Sequence, residues 1–165
     1  MSGSRRAIGY TVFVVALWGG VFPTVLAADA PASGVPLRPW PLVALGVLLL
    51  FLGSVLVRFP AQELADRGIG LLLVRPGPVL VTDGWHGRIR NPMDVGVIII
   101  AAASWVALDV GIMWVIPAAA LVYYAAAVGP YEDRLLLEQF GDEFRAYKRA
   151  VPKWVPFTRP DRTRS

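Results

Sequence analysis

The sequence predicts an all-α integral membrane protein with four transmembrane helices, the last two forming a tight hairpin, and a cytoplasmic amphipathic C-terminal helix. Of its 165 residues, 56% are hydrophobic and only 17% are charged, which is too apolar for a soluble domain of this length. The apolar residues also gather into segments near the roughly 20 residues that a helix needs to cross a bilayer. A single membrane domain over residues 1–165 is therefore expected.

The first two predicted spans lie within residues 1–60, at residues 8–27 and 40–59. The first is long for a signal peptide and is interrupted by glycines and a proline, so a retained helix is favoured over a cleaved leader. Prolines in residues 29–39 break any helix there and predict a short outer loop between the two spans.

The last two predicted spans form one apolar run, residues 95–128, which Asp109 and Gly111 divide into a hairpin. At about 1.5 Å per residue, the first arm reaches only about 21 Å, which is short for a bilayer. If this arm begins below the headgroups, Asp94 sinks part-way into the membrane. Ionisable residues in that position are costly and usually functional.

The positions of arginine and lysine predict the orientation in the membrane. These residues precede the first span, recur in the middle loop of residues 61–94 and fill the tail of residues 129–165, whereas the other two loops carry only Arg38. By the positive-inside rule, both termini of this multi-pass protein are cytoplasmic, as is the middle loop. The net charge of +4 then faces anionic membrane lipids rather than nucleic acid.

The tail predicts an amphipathic helix that Gly141 interrupts, after which Asp142 can cap a second short helix. Its apolar residues at helical spacing are Leu136, Phe140, Phe144 and Tyr147. The absence of cysteine excludes a disulfide, a thiolate nucleophile and a zinc–cysteine site, and a single histidine excludes a multi-histidine metal site. No metal is therefore expected.

Two polar clusters are predicted to meet at the cytoplasmic mouth of the hairpin. Residues 90–96 (RNPMDVG) precede the apolar run, and residues 131–133 (YED) follow it. Polar groups are expensive beside an apolar hairpin, so two such clusters at one membrane surface predict a functional site.

With their flanking residues, these clusters resemble the isoprenylcysteine carboxyl methyltransferase and phospholipid methyltransferase superfamily of integral-membrane enzymes, as a divergent bacterial-type member. The resemblance covers about half of the chain, residues 80–156. It rests on the order and spacing of residues 80–84 (LVTDG), 90–93 (RNPM), 131–133 (YED), 140–141 (FG), Tyr147 and 151–156 (VPKWVP).

The resemblance implies that both clusters surround S-adenosylmethionine on the cytosolic side, with its methyl group directed towards the lipid and S-adenosylhomocysteine as the product. Arg90 would hold the cofactor carboxylate, and Glu132 would accept from a ribose hydroxyl or the amino group. The catalytic residues would be Asp94 and Glu132. The cofactor-binding residues would be His86, Arg90, Asn91, Pro92, Gly96, Tyr131 and Glu132.

Three positions depart from the family pattern. Asn91 replaces the histidine of Arg-His-Pro, and Asp94 replaces a tyrosine two residues after the proline. Gly84-Trp85-His86 stands in place of Gly-Pro-Tyr. An asparagine still donates and accepts hydrogen bonds, but it is not a general base near neutral pH.

The site residues also have structural interpretations. Burial would raise the pKa of Asp94 and make it a base, but this residue can equally cap the hairpin helix or pair with Arg88 or Arg90. Glu132 can merely complement a helix dipole. His86 can be an interfacial loop residue rather than a base or part of an opening, and both arginines can contact lipid headgroups.

The sequence favours methyl transfer from S-adenosylmethionine to a lipophilic small molecule or lipid that reaches the site from the bilayer. The acceptor group, whether carboxylate, amine, thiol or hydroxyl, and the oligomeric state stay open. The alternative is a non-catalytic membrane protein that binds a lipid or another ligand on the same scaffold. A transporter or channel is disfavoured because the spans carry few polar groups.

Overall fold

A computed structural model describes residues 37–69 and 77–155, which fold into helices. No strand forms within these residues, where the β contact is an isolated bridge between Leu37 and Leu108. The predicted all-α class is confirmed for this part of the chain, and the predicted span at residues 8–27 lies outside it. In chain order the elements are α1 (Trp40–Asp66), α2 (Pro92–Ala107), a 3₁₀ turn (Gly111–Trp114), α3 (Val115–Tyr123), a π-helical segment (Tyr124–Val128) and α4 (Gly129–Ala150).

The first described helix, α1, is longer than the predicted span. Its 27 residues extend about 40 Å, against about 30 Å for the hydrocarbon core of a bilayer. The helix continues through Pro60 and adds turns that carry Gln62 and Glu63. These polar residues therefore stand on a helical extension rather than in the predicted loop.

Helices α1 and α2 pack closely through small residues. A Cβ atom on Gly53 would lie 2.8 Å from the carbonyl oxygen of Gly96, and one on Gly96 would lie 2.8 Å from that of Gly53. A Cβ atom on Gly46 would lie 2.7 Å from the Cβ atom of Ala107. Glycine therefore lets the two backbones approach, as small residues do between membrane helices.

The predicted helical hairpin is formed by α2 and α3, which pack around buried Met113 and Ile116. Its first arm begins at Pro92, before residue 95, because the fixed φ of proline suits the first position of a helix. At the turn, Arg38 Nε donates to the carbonyl oxygen of Leu108 at 3.1 Å and lies 3.8 Å from Asp109 Oδ1.

The second arm continues into α4 without a break, although Pro130 lacks an N–H group and would clash in a regular helix. The Gly129 N–H bonds instead to the carbonyl oxygen of Tyr124, one residue further back than in an α-helix. Gly141 interrupts α4, as predicted, with a φ of 53°. The predicted apolar face of this helix is also confirmed, since Phe144, Tyr147 and Val151 are buried against Leu80, Leu136 and Phe140.

Two helical stretches, Trp40–Asp66 and Gly111–Ala150, are long and apolar enough to cross a membrane by length and composition. Few residues in their apolar parts are buried within the described chain. Phe51, for example, is 64% exposed and Val122 is 63% exposed. Core helices of soluble proteins bury such side chains, so the exposed apolar surface favours a membrane protein.

Candidate functional site

A polar cluster lies where the hairpin begins and ends. Pro92 is fully buried at the start of α2, with Asn91 just before it and Asp94 in its first turn. Glu132 lies in the first turn of α4, where the chain returns from the hairpin. The hairpin therefore brings together polar residues that are about 40 positions apart in the sequence.

The amide of Asn91 joins two carboxyl groups. Its Nδ2 atom donates to Asp94 Oδ2 at 3.1 Å and to Glu132 Oε2 at 2.8 Å. The two N–H groups of one amide can serve both acceptors, whereas the opposite orientation would set an oxygen against two carboxyl groups. We call Asn91, Asp94 and Glu132 the carboxyl cluster.

Both carboxyl groups lie outside the apolar run of residues 95–128 but are strongly desolvated. Burial raises the pKa of Asp94 to about 7, against the opposing effects of the Asn91 hydrogen bond and the positive charge of Lys153. Burial, and then the negative charge of Asp94, raise the pKa of Glu132 well above its usual range. Near neutral pH Asp94 therefore takes up or releases a proton readily.

The nearby cations pair with Asp133 rather than with the carboxyl cluster. Arg90 Nη1 lies 3.1 Å from Asp133 Oδ1, and Lys148 Nζ lies 2.9 Å from Asp133 Oδ2. Lys153 Nζ is 3.8 Å from the same oxygen. Within the described residues, no ion pair reaches Asp94 or Glu132. The cluster therefore lacks a direct positive partner.

The carboxyl cluster keeps accessible oxygen atoms. Asp94 Oδ1, Glu132 Oε1 and Asn91 Oδ1 accept none of the hydrogen bonds found among the described residues. Every buried side-chain oxygen in that part of the chain has a partner, so these three atoms reach accessible surface. Asp94 is thus largely buried, while each residue of the cluster keeps an oxygen atom that accepts no hydrogen bond from the described residues.

The chain after α4 forms a strap across the start of α2. The N–H groups of Arg90 and Asn91 donate to the carbonyl oxygens of Pro152 at 2.9 Å and Lys153 at 3.3 Å. Arg90 Nε also donates to the carbonyl oxygen of Val151 at 3.1 Å. The strap holds the Lys153 ammonium beside Gly129, where a Cβ atom would lie 2.5 Å from Nζ.

The chain matches no protein-family model, no curated protein and no solved structure. The chemistry of the site therefore rests on its own residues. Of the predicted site residues, the structure brings together Asn91, Asp94 and Glu132, while Tyr131 is half-buried beside the last of these. Asp94 forms a hydrogen bond with Asn91 rather than an ion pair with Arg88 or Arg90.

Three other predicted site residues have packing or bonding partners elsewhere. Gly96 faces α1, where Gly53 and Val57 approach it. Arg90 is engaged by Asp133 and the strap, and its side chain is only 10% exposed. His86 is buried, with Nδ1 2.9 Å from Glu63 Oε2.

Two residues near these groups are not among the predicted site residues. Glu63 lies within the predicted loop of residues 61–94, although an acid just beyond an apolar helix and a single histidine in the next segment indicate a buried pair. Lys153 lay within the family-like tail but had no assigned role. Only the strap places its charge near the carboxyl cluster.

Proposed function

We propose that this protein is an S-adenosylmethionine-dependent methyltransferase that acts on a lipophilic acceptor at the cytoplasmic face of a membrane. One observation carries the proposal: a buried pair of carboxyl groups, held by the Asn91 amide and with accessible oxygen atoms, has no ion-pair partner among the described residues. The cofactor bears a sulfonium and an ammonium group. Both complement desolvated carboxylates, whose attraction for a cation is strong where water is excluded.

The proposed protein crosses the membrane four times, with both termini cytoplasmic. The described candidate spans and the distribution of arginine and lysine support this arrangement. Residues 8–27 supply the remaining N-terminal span in the proposal. The carboxyl cluster then lies at the cytoplasmic mouth of the hairpin, within reach of a soluble cofactor and of an acceptor in the lipid.

The residues of the site fit the parts of the cofactor. Asp94 and Glu132 offer acceptors for its cationic groups and ribose hydroxyls. Lys153 is a better partner for its carboxylate than Arg90, because the Arg90 guanidinium already bonds to Asp133 and the strap. When bound, the cofactor would supply an electrophilic methyl group. The protein would hold the acceptor in line with that group and exclude water.

Binding of S-adenosylmethionine by the purified protein in detergent tests the proposal. We expect Asn91→Ala and Glu132→Gln to weaken binding by about tenfold or more, because the first removes the donor that holds both carboxyl groups and the second removes an ionisable group from the site. Glu138→Gln is the matched control, since Glu138 is exposed on the same helix, and its binding should equal that of the wild type. Lack of binding by the wild type would refute the proposal.

A non-catalytic ligand-binding protein is the second candidate. The internal engagement of Arg90 favours it, because the residue that resembles the family's carboxylate ligand is already bonded. Membranes incubated with methyl-labelled cofactor and a total lipid extract separate the candidates. Label in a lipid fraction that depends on the protein supports transfer, whereas cofactor binding without protein-dependent label supports the second candidate.

A further inference from the structure

The His86–Glu63 pair is a second buried polar group, separate from the carboxyl cluster. His86 Nδ1 lies 2.9 Å from Glu63 Oε2, which also accepts from the Trp85 N–H at 3.3 Å. Arg67 Nη1 lies 3.8 Å from the other oxygen of Glu63. At Gly84, with a φ of 55°, a Cβ atom would collide with that oxygen, so glycine permits the close approach. Glu63 is thus held firmly in one position.

This arrangement fixes which nitrogen of His86 is available. The Glu63 carboxylate accepts the Nδ1 proton, which leaves the Nε2 lone pair of a neutral imidazole free. Nε2 takes part in none of the hydrogen bonds of the described residues, and no buried side-chain nitrogen there lacks a partner. The small exposed fraction of the His86 side chain, 9%, therefore includes Nε2. Carboxylate-oriented histidines of this kind serve as general bases.

Trp85, which precedes His86, packs against aromatic and cationic groups. The Trp85 ring stacks on Phe59 with a centroid distance of 6.4 Å, and Phe59 is 52% exposed on α1. The Arg88 guanidinium lies over the Trp85 ring, 5.9 Å from the ring centroid. The loop segment of His86 therefore offers an aromatic surface and a cation next to it in the chain, both suited to a lipophilic acceptor with an anionic oxygen or sulfur.

One short loop connects His86 to the carboxyl cluster. The loop turns tightly, with the Gly87 N–H bonded to the carbonyl oxygen of Asp83 at 2.8 Å. Tyr147 on α4 donates from its hydroxyl to the carbonyl oxygen of His86 at 2.6 Å. Four residues later the strap holds Arg90 and Asn91. Helix α4 therefore anchors the loop at His86, and the strap anchors it at Arg90 and Asn91.

We propose that His86, oriented by Glu63, is the base that deprotonates the methyl acceptor, and that the acceptor is a lipophilic phenol or thiol rather than a carboxylate. This inference rests on the proposed methyltransferase function. Carboxylates are already ionised at neutral pH and need no base, whereas phenols and thiols have pKa values of about 10 and 8.5, within reach of an imidazole.

In the proposed step, the acceptor O–H or S–H proton passes to His86 Nε2 while the oxygen or sulfur bonds to the methyl carbon. The bond from that carbon to the sulfonium breaks, and its electron pair stays on the sulfur, giving a neutral thioether. The Glu63 carboxylate stabilises the imidazolium, which then loses its proton to water.

Two matched acceptors test the inference in the detergent-purified protein. One is para-dodecylphenol, which is protonated at neutral pH, and the other is its dinitrated analogue, which is already ionised. We expect His86→Gln to slow methylation of the first by about 10²- to 10⁴-fold and to change that of the second by less than about threefold. Glu63→Gln should cause a smaller loss on the first acceptor alone. Asp66→Asn, which removes an exposed carboxylate from the same helix as Glu63, should match the wild type.

The possible outcomes separate this inference from the function on which it rests. Equal losses on both acceptors, or no loss on the phenol, would overturn the base role of His86 while leaving methyl transfer intact. Faster methylation of dodecanoate than of the phenol and of dodecanethiol by the wild type would overturn the acceptor class. A wild-type protein that fails to bind S-adenosylmethionine would overturn both proposals.

Discussion

Asn91 and Asp94 are the hairpin residues that depart from the family-like pattern, and they are hydrogen-bonded to each other at 3.1 Å. The amide of Asn91 donates to Asp94 and Glu132 and stays neutral at all ordinary pH values. The Asp94 carboxyl group thus accepts its hydrogen bond from Asn91, a residue of the same segment. The two departures are therefore a single structural feature that places two carboxyl groups on one amide.

The raised pKa of Asp94 makes cofactor affinity depend on pH. Below its pKa of about 7 the carboxyl group is neutral, and above it the group is charged and attracts a sulfonium. The sulfur of S-adenosylhomocysteine is uncharged, so this product serves as the reference. The ratio of the affinity for S-adenosylmethionine to that for S-adenosylhomocysteine should therefore rise between about pH 6 and pH 8, by at most tenfold per pH unit. Calorimetric titration measures both affinities. Asp94→Asn should flatten the ratio, and a flat wild-type ratio would contradict the assignment.

Lys153 should bind the cofactor carboxylate, because its ammonium lies near the carboxyl cluster and its ion pair with Asp133 is long, at 3.8 Å. Lys153→Gln is expected to weaken S-adenosylmethionine and S-adenosylhomocysteine about equally, by roughly 10- to 100-fold, since both carry the carboxylate. Lys148→Gln is the control, because its ammonium bonds to Asp133 at 2.9 Å on a more exposed side. An equal effect of both variants would point to Asp133 instead.

At the scale of helices, the sequence predicts the parts that follow from apolar length and periodicity. The hairpin, the break at Gly141 and the buried face around Phe144 all agree with the structure. The strap could not be predicted, because its bonds join backbone groups about 60 residues apart and leave no side-chain pattern. For the same reason Arg90 was expected at the cofactor, although its partners lie on the strap and α4.

A glycine in such a sequence can allow either a cofactor or a neighbouring helix to approach. The packing of α1 on α2 shows which of the two applies to Gly96. Gly96 resembles a residue that lets a cofactor approach, but the backbone that approaches it belongs to Gly53. We expect Gly96→Ala to lower the free energy of unfolding in detergent by roughly 1–3 kcal/mol, through forced separation of the helices. Gly111→Ala is the control, because no atom lies within 4 Å of its added Cβ. Equal stability of the two variants would show that the helices separate without cost.

At the scale of the whole molecule, polar groups occur at two ends of the apolar helices. Arg38 and Asp109 meet at the turn of the hairpin, while the carboxyl cluster, the strap and His86 lie at its mouth. Among the described residues the mouth carries most of the arginine and lysine, and the positive-inside rule predicts that such an end is cytoplasmic. The proposed chemistry requires this orientation, because its cofactor is a cytosolic molecule.

The absence of native cysteine allows a direct test of this orientation. Asp109→Cys and Glu138→Cys each introduce one thiol at an exposed position, at opposite ends of the helices. In intact cells, a membrane-impermeant maleimide should label the first variant and should label the second only after the membrane is opened. Both variants should react equally in detergent, which controls for thiol reactivity. The reverse labelling pattern would place the carboxyl cluster outside the cell and remove its access to the cofactor, and with it the proposed function.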